Sequence, residues 1–542
     1  MSDDLEEINF DYIVLGTGLI ESILAGSLAR IGKKVLHLDS HQHYGSNWSV
    51  FGFRELIKWY LDRTQEIEEQ VIEGDLSINY ERSYSSNFKN VQLKICGDKL
   101  VTKELEEGNS AENLSKKPSN EADKALFDAY FKLTSSTENE LPCEMKLFNY
   151  LLKNSRSYNL DTTPKLLGAR EELVDILIRS GVGRYLEFRN VDDVYIFDDS
   201  IKFFEKVPSS KEDVFTNKSV SLVEKRKLMK FLTFAMEYDI KDPLFEGTDN
   251  LNYGQFLTEK FKITGKLKNA IIYAIALVNE KVSIKHGLDR THQFVRAMGR
   301  FGKGAYLCPL YGGASEIAQA FCRVCAVYGG IYILNEALER YVIDEKTNKC
   351  TGIITKEGKE YKGQKIIAGI DYLNYSWLPH EDNLSTWISR AILVTDTRLE
   401  TINCEGLSYS IFPPGSEAGN IDEPIYGIHQ NDEIMACPKN QYVTYLWTTS
   451  KNEDALKKAI DLLTSQGKQP FINVFYKQRV RNLNMFENSG KLPKNIIPCS
   501  DPDATLDFET AIKEARNLFY ECESSDAEFM PSVEQENEDT FD

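Results

Sequence analysis

The chain has no long apolar run. Its longest, Ala270 to Val278 (AIIYAIALV), is nine residues, whereas a helix crossing a bilayer needs roughly 20. A membrane-spanning helix is therefore not expected. Cations are in deficit, with 64 Lys and Arg against 83 Asp and Glu over 542 residues, a formal charge of −19. That balance argues against a nucleic-acid binder, because phosphate contacts need a surplus of positive charge. Cysteine is sparse, ten in the chain, without the spacing of a disulfide-stapled secreted scaffold, so the thiols are read as reduced and cytosolic. The first residues, MSDDLEEINF, lack the cationic and apolar segments of a secretory leader. The last four, DTFD, hold no cysteine and hence no prenylation box. No HExxH, GxSxG or GxxxxGK[ST] motif occurs.

At 42% hydrophobic and 11% aromatic residues the chain can bury a large core. From Phe10 it reads FDYIVLGTGLIESILAGSLARIGKKVLHLDS. The order is an apolar run around Ile13–Leu15, a glycine turn, a helix from about Leu19 to Ile31, and a second apolar run over Lys34–Leu38 that ends in Asp39. This is the opening β-α-β unit of a dinucleotide-binding fold. The expected class is α/β, an FAD/NAD(P)-binding-like (Rossmann-type) domain with mixed β-sheets plus an inserted all-helical domain.

The α/β part is read as discontinuous, 1–208 and 299–520. Within it, 103–141 is polar and rich in Ser, Asn, Glu and Lys, so a disordered insertion is expected, with room for a short helix around Ala122–Leu133. Residues 209–298 carry helical periodicity, as in Leu228, Phe231, Leu232, Ala235 and Met236. Two more helices are read over Leu267–Val278 and Leu288–Met298. Short β-type runs return at Ile331–Leu334, Lys365–Ala368 and Tyr442–Trp447, and 508–520 reads as a closing helix. The tail after Cys522 has eight acids and no base and is expected to be disordered.

The glycine turn is Gly16-Thr17-Gly18-Leu19-Ile20-Glu21, with Glu21 where a working site has its third glycine. A carboxylate there would repel a pyrophosphate by about 4 kcal/mol for unit charges 4 Å apart at an effective dielectric of 20. Glu21 also complements the helix dipole itself. The reading is a vestigial turn (Gly16, Gly18, Glu21) in a fold that has lost its cofactor. The alternative leaves Glu21 in solvent and a nucleotide bound.

Three blocks carry a specific resemblance: GTGLIES with KKVLHLDSHQHYGSNW, VEKRKLMKFLTFAMEY, and LCPLYGGASEIAQAFCRVCAVYGGIYILN from Leu307 to Asn335. On these the sequence resembles the superfamily of Rab escort proteins and Rab GDP-dissociation inhibitors. The Asn47-Trp48 pair, the insertion, the CRVCAVYGGIY wording and the acidic tail point to the escort branch. The resemblance implies a non-catalytic, cytosolic chaperone, transiently at membranes. It would bind newly made GDP-bound Rab GTPases, present them to the α/β heterodimer of Rab geranylgeranyl transferase and shelter the geranylgeranyl lipid. It implies no cofactor or metal. A Rab GDP-dissociation inhibitor and a flavin oxidoreductase are the alternatives.

The resemblance also implies a GTPase-binding set: Tyr44, Glu316, Gln319, Arg323 and Tyr332. Glu316 and Arg323 fall two helical turns apart, on one face of a helix. For the lipid it implies the helical domain, where Phe231, Phe234, Ile271, Ile275 and Leu277 are candidate lining residues. Cys322 and Cys325 are read as buried thiols, His41 and His43 as surface polar residues, and Lys225, Arg226, Lys227 and Lys230 as a solvated helix face.

Overall fold

A computed structural model describes residues 8–64, 87–96, 114, 116–134, 141–208, 221–239, 241–378, 386–402, 405–464, 469–486, 492–524 and 526–533. The opening unit folds as its pattern dictates. The first strand (Asn9–Leu15) pairs in parallel with Val35–Leu38 on one side and Glu360–Gly369 on the other. The first helix (Leu19–Arg30) crosses between them with every residue buried. It has no polar face because the Gly313–Val327 helix and the closing helix (Glu509–Cys522) pack over it. The strand order is Ile331–Ile333, Val35–Leu38, Asn9–Leu15, Glu360–Gly369, Lys349–Thr355, Leu338–Asp344. Ile496–Cys499 pairs with the end of Glu360–Gly369. Ile331–Ile333 is thus an edge strand, and Tyr332 stands out from that edge, 37% exposed.

A second, eight-stranded sheet runs from Phe88–Ile95 at one edge to Phe203–Lys206 at the other. Its pairings are antiparallel apart from Ser408–Phe412 with Asp193–Asp198. Against it lies the helical layer: Leu222–Glu237, Tyr253–Phe261, Gly265–Asn269 and Ile284–Ala297. Leu222–Glu237 begins with a Ser221/Glu224 capping box and buries Leu228, Phe231 and Ala235. Polar links tie this layer to the rest, among them an ion pair of Lys266 with Asp198 of the sheet. The Tyr409 hydroxyl donates to the Ala274 carbonyl at 2.8 Å, and Arg290 pairs with Asp507 and Glu509 beside the closing helix.

Three expectations need correction. The helix read over Leu267–Val278 is α-helical only to Asn269, continues as a π-turn over Ala270–Ile275, and ends at Leu277 in the left-handed region, φ +53°. A wider turn lets this continuous apolar segment face both the sheet and its own layer, and π-turns gather at functional places. The insertion is not without order, and the short helix for which its sequence leaves room is present. Glu121–Leu133 is a helix capped by the Asn120 side chain, and Phe127 and Tyr130 bury against Phe148. The rest of 103–141, apart from residues 114 and 116–134 and the first residue of the Leu141–Lys153 helix, lies outside the described residues.

Nor does the tail detach at Cys522. The Tyr12 hydroxyl donates to Glu523 at 2.6 Å, Arg179 donates to the Phe529 carbonyl at 3.0 Å, and Phe529 and Met530 are buried. These apolar side chains outweigh the acids around them; residues 534–542 lie outside the described part. His41 and His43, finally, are partly buried and stack on each other with centroids 4.7 Å apart. Burial lowers the His43 pKa to about 4.

Candidate functional site

The nucleotide cradle comes first, because its state decides what the fold can do. Gly16 has φ +97°, and a Cβ there would lie 2.9 Å from the Tyr372 ring. The acid that would meet a ribose, Asp39, is fully buried. Its Oδ2 accepts from the Thr17 N–H at 2.7 Å, the Thr17 hydroxyl at 2.6 Å and the Ser46 hydroxyl at 2.9 Å. Its Oδ1 accepts from the His41 N–H at 2.8 Å and the Tyr372 hydroxyl at 3.0 Å, and lies 2.9 Å from His41 Nδ1. A carboxylate offers about four lone-pair sites, so no capacity is left for a ribose. Burial would raise the Asp39 pKa, but the charge and hydrogen bonds of His41, with those of Thr17, hold it well below the ordinary range.

Glu21 blocks the turn by a different route from the one its charge suggests. It is 5% exposed, and its carboxyl fills the space that a Cβ on Gly18 or Gly369 would need. Burial first, then Asp371, Glu514 and Asp39, push its pKa well above the usual carboxylate range. Burial thus favours the protonated acid, and it is the volume of the carboxyl packed under the turn that obstructs the site. The remaining crevice, lined by Gly18, Glu21, Trp48, Asp371 and Cys499, is about 200 Å³, below the roughly 300–1,000 Å³ of drug-sized ligand sites. These residues do not fit a flavin dinucleotide. Asn47 and Trp48 add to the packing: Asn47 donates to Asp501 at 2.9 Å, and Trp48 stacks on Phe508 at 6.2 Å.

Outside this plugged cradle, the five residues named for GTPase binding come from three elements that meet at one surface. Tyr44 lies in the loop after Val35–Leu38, Glu316, Gln319 and Arg323 on the Gly313–Val327 helix, and Tyr332 on the edge strand. The Gly45 turn (φ +106°) brings that loop against Ser315, where a Cβ would crowd. The Tyr44 and Tyr332 rings lie 6.2 Å apart at 51°. Burial first, then the neighbouring Tyr332, raise the Tyr44 pKa, so its hydroxyl stays protonated. Glu316 is in the first turn of its helix with no capping bond, half-buried, and burial raises its pKa.

Gln319 and Arg323 are exposed. Among the described residues no carboxylate pairs with Arg323; its guanidinium carbon lies 4.3 Å from the centroid of the Tyr185 ring. Tyr185 (51% exposed) and Val327 (66%) border the same surface. Sequence reading missed both. Tyr185 closes a short 3₁₀ turn, Val182–Tyr185, that has no periodic pattern to mark it.

The lipid candidates sit in a closed core. Phe231, Ile271 and Ile275 are essentially inaccessible, while Phe234 and Leu277 are partly buried. Phe231 packs on Phe261 at 5.1 Å, and Phe234 on Phe261 at 5.3 Å and Phe256 at 6.2 Å. Phe231, Ile271 and Ile275 thus present no open surface to a guest. Cys322 and Cys325 are buried; burial raises Cys325 to about 12 and Cys322 further. Arg226 and Lys230 are exposed, and Lys227 donates to the Lys262 carbonyl at 2.6 Å. Among the described residues Glu171, Asp507 and Glu509 form one acidic cluster, and Arg290 supplies its positive charge.

The model of the family described as "GDI: GDP dissociation inhibitor" matches residues 5–84 and 143–533, skipping the stretch that holds the insertion. Human "Rab proteins geranylgeranyltransferase component A 1" is 30% identical over 97% of this chain and 92% of its own length. The Drosophila melanogaster "Rab proteins geranylgeranyltransferase component A" is 30% identical over 100% and 93%. Among solved structures, a Rab GDI from Plasmodium falciparum superposes with a TM-score of 0.64 at 21% identity, over 94% of this chain and 97% of that one. An oxidoreductase from Methanosarcina mazei gives 0.50 at 11%, over 94% and 99%. These two share the fold.

Proposed function

The chain belongs to the GDP dissociation inhibitor family, and from that premise we propose that it is a Rab escort protein, the non-catalytic component A of Rab geranylgeranyl transferase. It takes up newly made GDP-bound Rab GTPases, offers them to the transferase heterodimer and carries the lipidated product through the cytosol to membranes. Near-full-length identity to relatives named component A supports the escort role.

The observation that carries the reading is a paired one. The inherited cofactor cradle is filled by the protein's own Glu21, Asp39 and Tyr372, while the adjacent surface presents Tyr44, Tyr332, Glu316, Gln319 and Arg323 together. The helix and edge strand hold their Cα positions rigidly, so little order is lost on docking. Half-exposed aromatics supply contact area, and an unpaired Arg supplies directed donors. The lipid is assigned to the helical layer, where burying a 20-carbon chain at about 0.8 kcal/mol per CH₂ gains on the order of ten kcal/mol. That gain drives displacement of the Phe231, Phe234 and Phe261 packing. Among the described residues no helix is long and apolar enough to cross a membrane, so membrane contact is assigned to docking at the surface.

A pull-down tests the assignment. Binding to both unprenylated Rab-GDP and the transferase heterodimer is expected. Binding to prenylated Rab with none to the heterodimer would make the chain a recycling inhibitor instead.

A further inference from the structure

We propose that Tyr185 is a positioning residue of the GTPase-docking surface, holding Arg323 ready for its partner. The inference rests on the docking role given above to Arg323 and adds a fourth element to that surface, the Val182–Tyr185 turn. An exposed Arg on a helix normally samples many rotamers, and ordering it on binding costs entropy. Here the guanidinium lies over the Tyr185 ring at 4.3 Å, within the distance at which a ring face attracts a cation.

The kind of support matters. A neighbouring carboxylate would order Arg323 by consuming its charge and donors. A ring face under the guanidinium leaves the five N–H donors around its rim free for acceptors on the GTPase. Tyr185 is also well placed to be spared for this work: it is 51% exposed and contributes little to the core. Its turn is set by Gly181 in the left-handed region, φ +71°, and by the buried Val182. The ring therefore reaches Arg323 from a firm base.

The test is a titration of the full-length chain with unprenylated, GDP-loaded Rab, alongside thermal melting. Tyr185→Leu, which keeps bulk and removes the ring, is expected to weaken binding about five-fold with an unchanged melting temperature, in line with exposed cation–π contacts. Tyr185→Phe, which keeps the ring, is expected to bind within two-fold of the parent. Tyr185→Leu combined with Arg323→Ala is expected to bind no worse than Arg323→Ala alone, because the first residue acts through the second. Unchanged affinity of Tyr185→Leu, or additive losses in the double variant, would overturn the proposal. Failure of the parent chain to bind Rab at all would instead overturn the docking reading beneath it, and wild-type affinity of Arg323→Ala would remove the role that Tyr185 is said to serve.

Discussion

Tyr44 and Tyr332 pair across the top of the α/β sheet, their rings 6.2 Å apart at 51°, one on the loop after the second strand and the other on the edge strand beside it. Each limits the other's rotamers, so the pair presents an ordered apolar face with one polar rim. Truncating Tyr44→Ala is expected to weaken Rab binding about ten-fold, the scale of an interface hot spot. Tyr44→Phe, which loses only the hydroxyl, should cost about two-fold. Calorimetric titration of both variants checks the order, and equal losses would assign the effect to the hydroxyl alone.

Glu21 makes a pH prediction. Its folded pKa is raised by burial above the unfolded value, so the folded state binds more protons than the unfolded one above about pH 4.5, and stability falls as pH rises through that window. Asp371, raised to about 7 by burial, adds to the same slope. Glu21→Gln keeps the shape and removes the titration. It is expected to raise the melting temperature by about 2 °C at pH 8 and to leave it unchanged at pH 4. A loss at pH 8 would mean that the carboxyl is ionised in the fold.

Asp39 titrates in the opposite sense. Its folded pKa lies below the unfolded one, so its stabilisation is present above about pH 4 and is lost as pH falls further. Removing a buried, hydrogen-bonded carboxylate strands the donors of Thr17, Ser46 and Tyr372. Asp39→Ala is expected to cost on the order of 3 kcal/mol at pH 7. Urea melts at several pH values should show the gap to the parent narrowing below pH 4.

Arg290 pins the helical layer to the sheets. Its side chain is 15% exposed, and its partner Asp507 is 3% exposed. Arg290→Leu leaves Glu171 and Asp507 facing each other with only Lys513, paired to Glu509, nearby, and is expected to destabilise by about 3–5 kcal/mol. Guanidinium melts followed by circular dichroism should show a lower midpoint, and an unchanged midpoint would make the cluster incidental to stability.

Much of the fold is legible in the residues because local pattern and tertiary role agree there. The apolar run that ends at Leu15, the glycine turn and the run ending in Asp39 specify strand, helix and strand before any packing is known. The Glu121–Leu133 helix is legible despite its polar flanks; Asn120 caps it and Phe127 and Tyr130 give it a buried face. The π-turn at Ala270–Ile275 left no periodic trace, since a segment apolar all round reads the same at 3.6 residues per turn or more.

At the site, residue identity was legible and protonation was not. A sequence shows Glu21 as an acid; only its burial beside Asp371 and Glu514 favours the protonated form. The convergence of Tyr44, Arg323 and Tyr332 followed from resemblance, because no spacing connects them. Tyr185 carried no signal at all until its ring was found under Arg323.

The escort assignment meets its most direct test in one assay: geranylgeranyl transfer by the purified heterodimer to a single unprenylated, GDP-bound Rab, titrated with this chain. The account predicts transfer that is near background without the chain, rises to saturation with it, and needs far more of the Arg323→Ala variant to reach the same level. Transfer that is equal with and without the chain would contradict it.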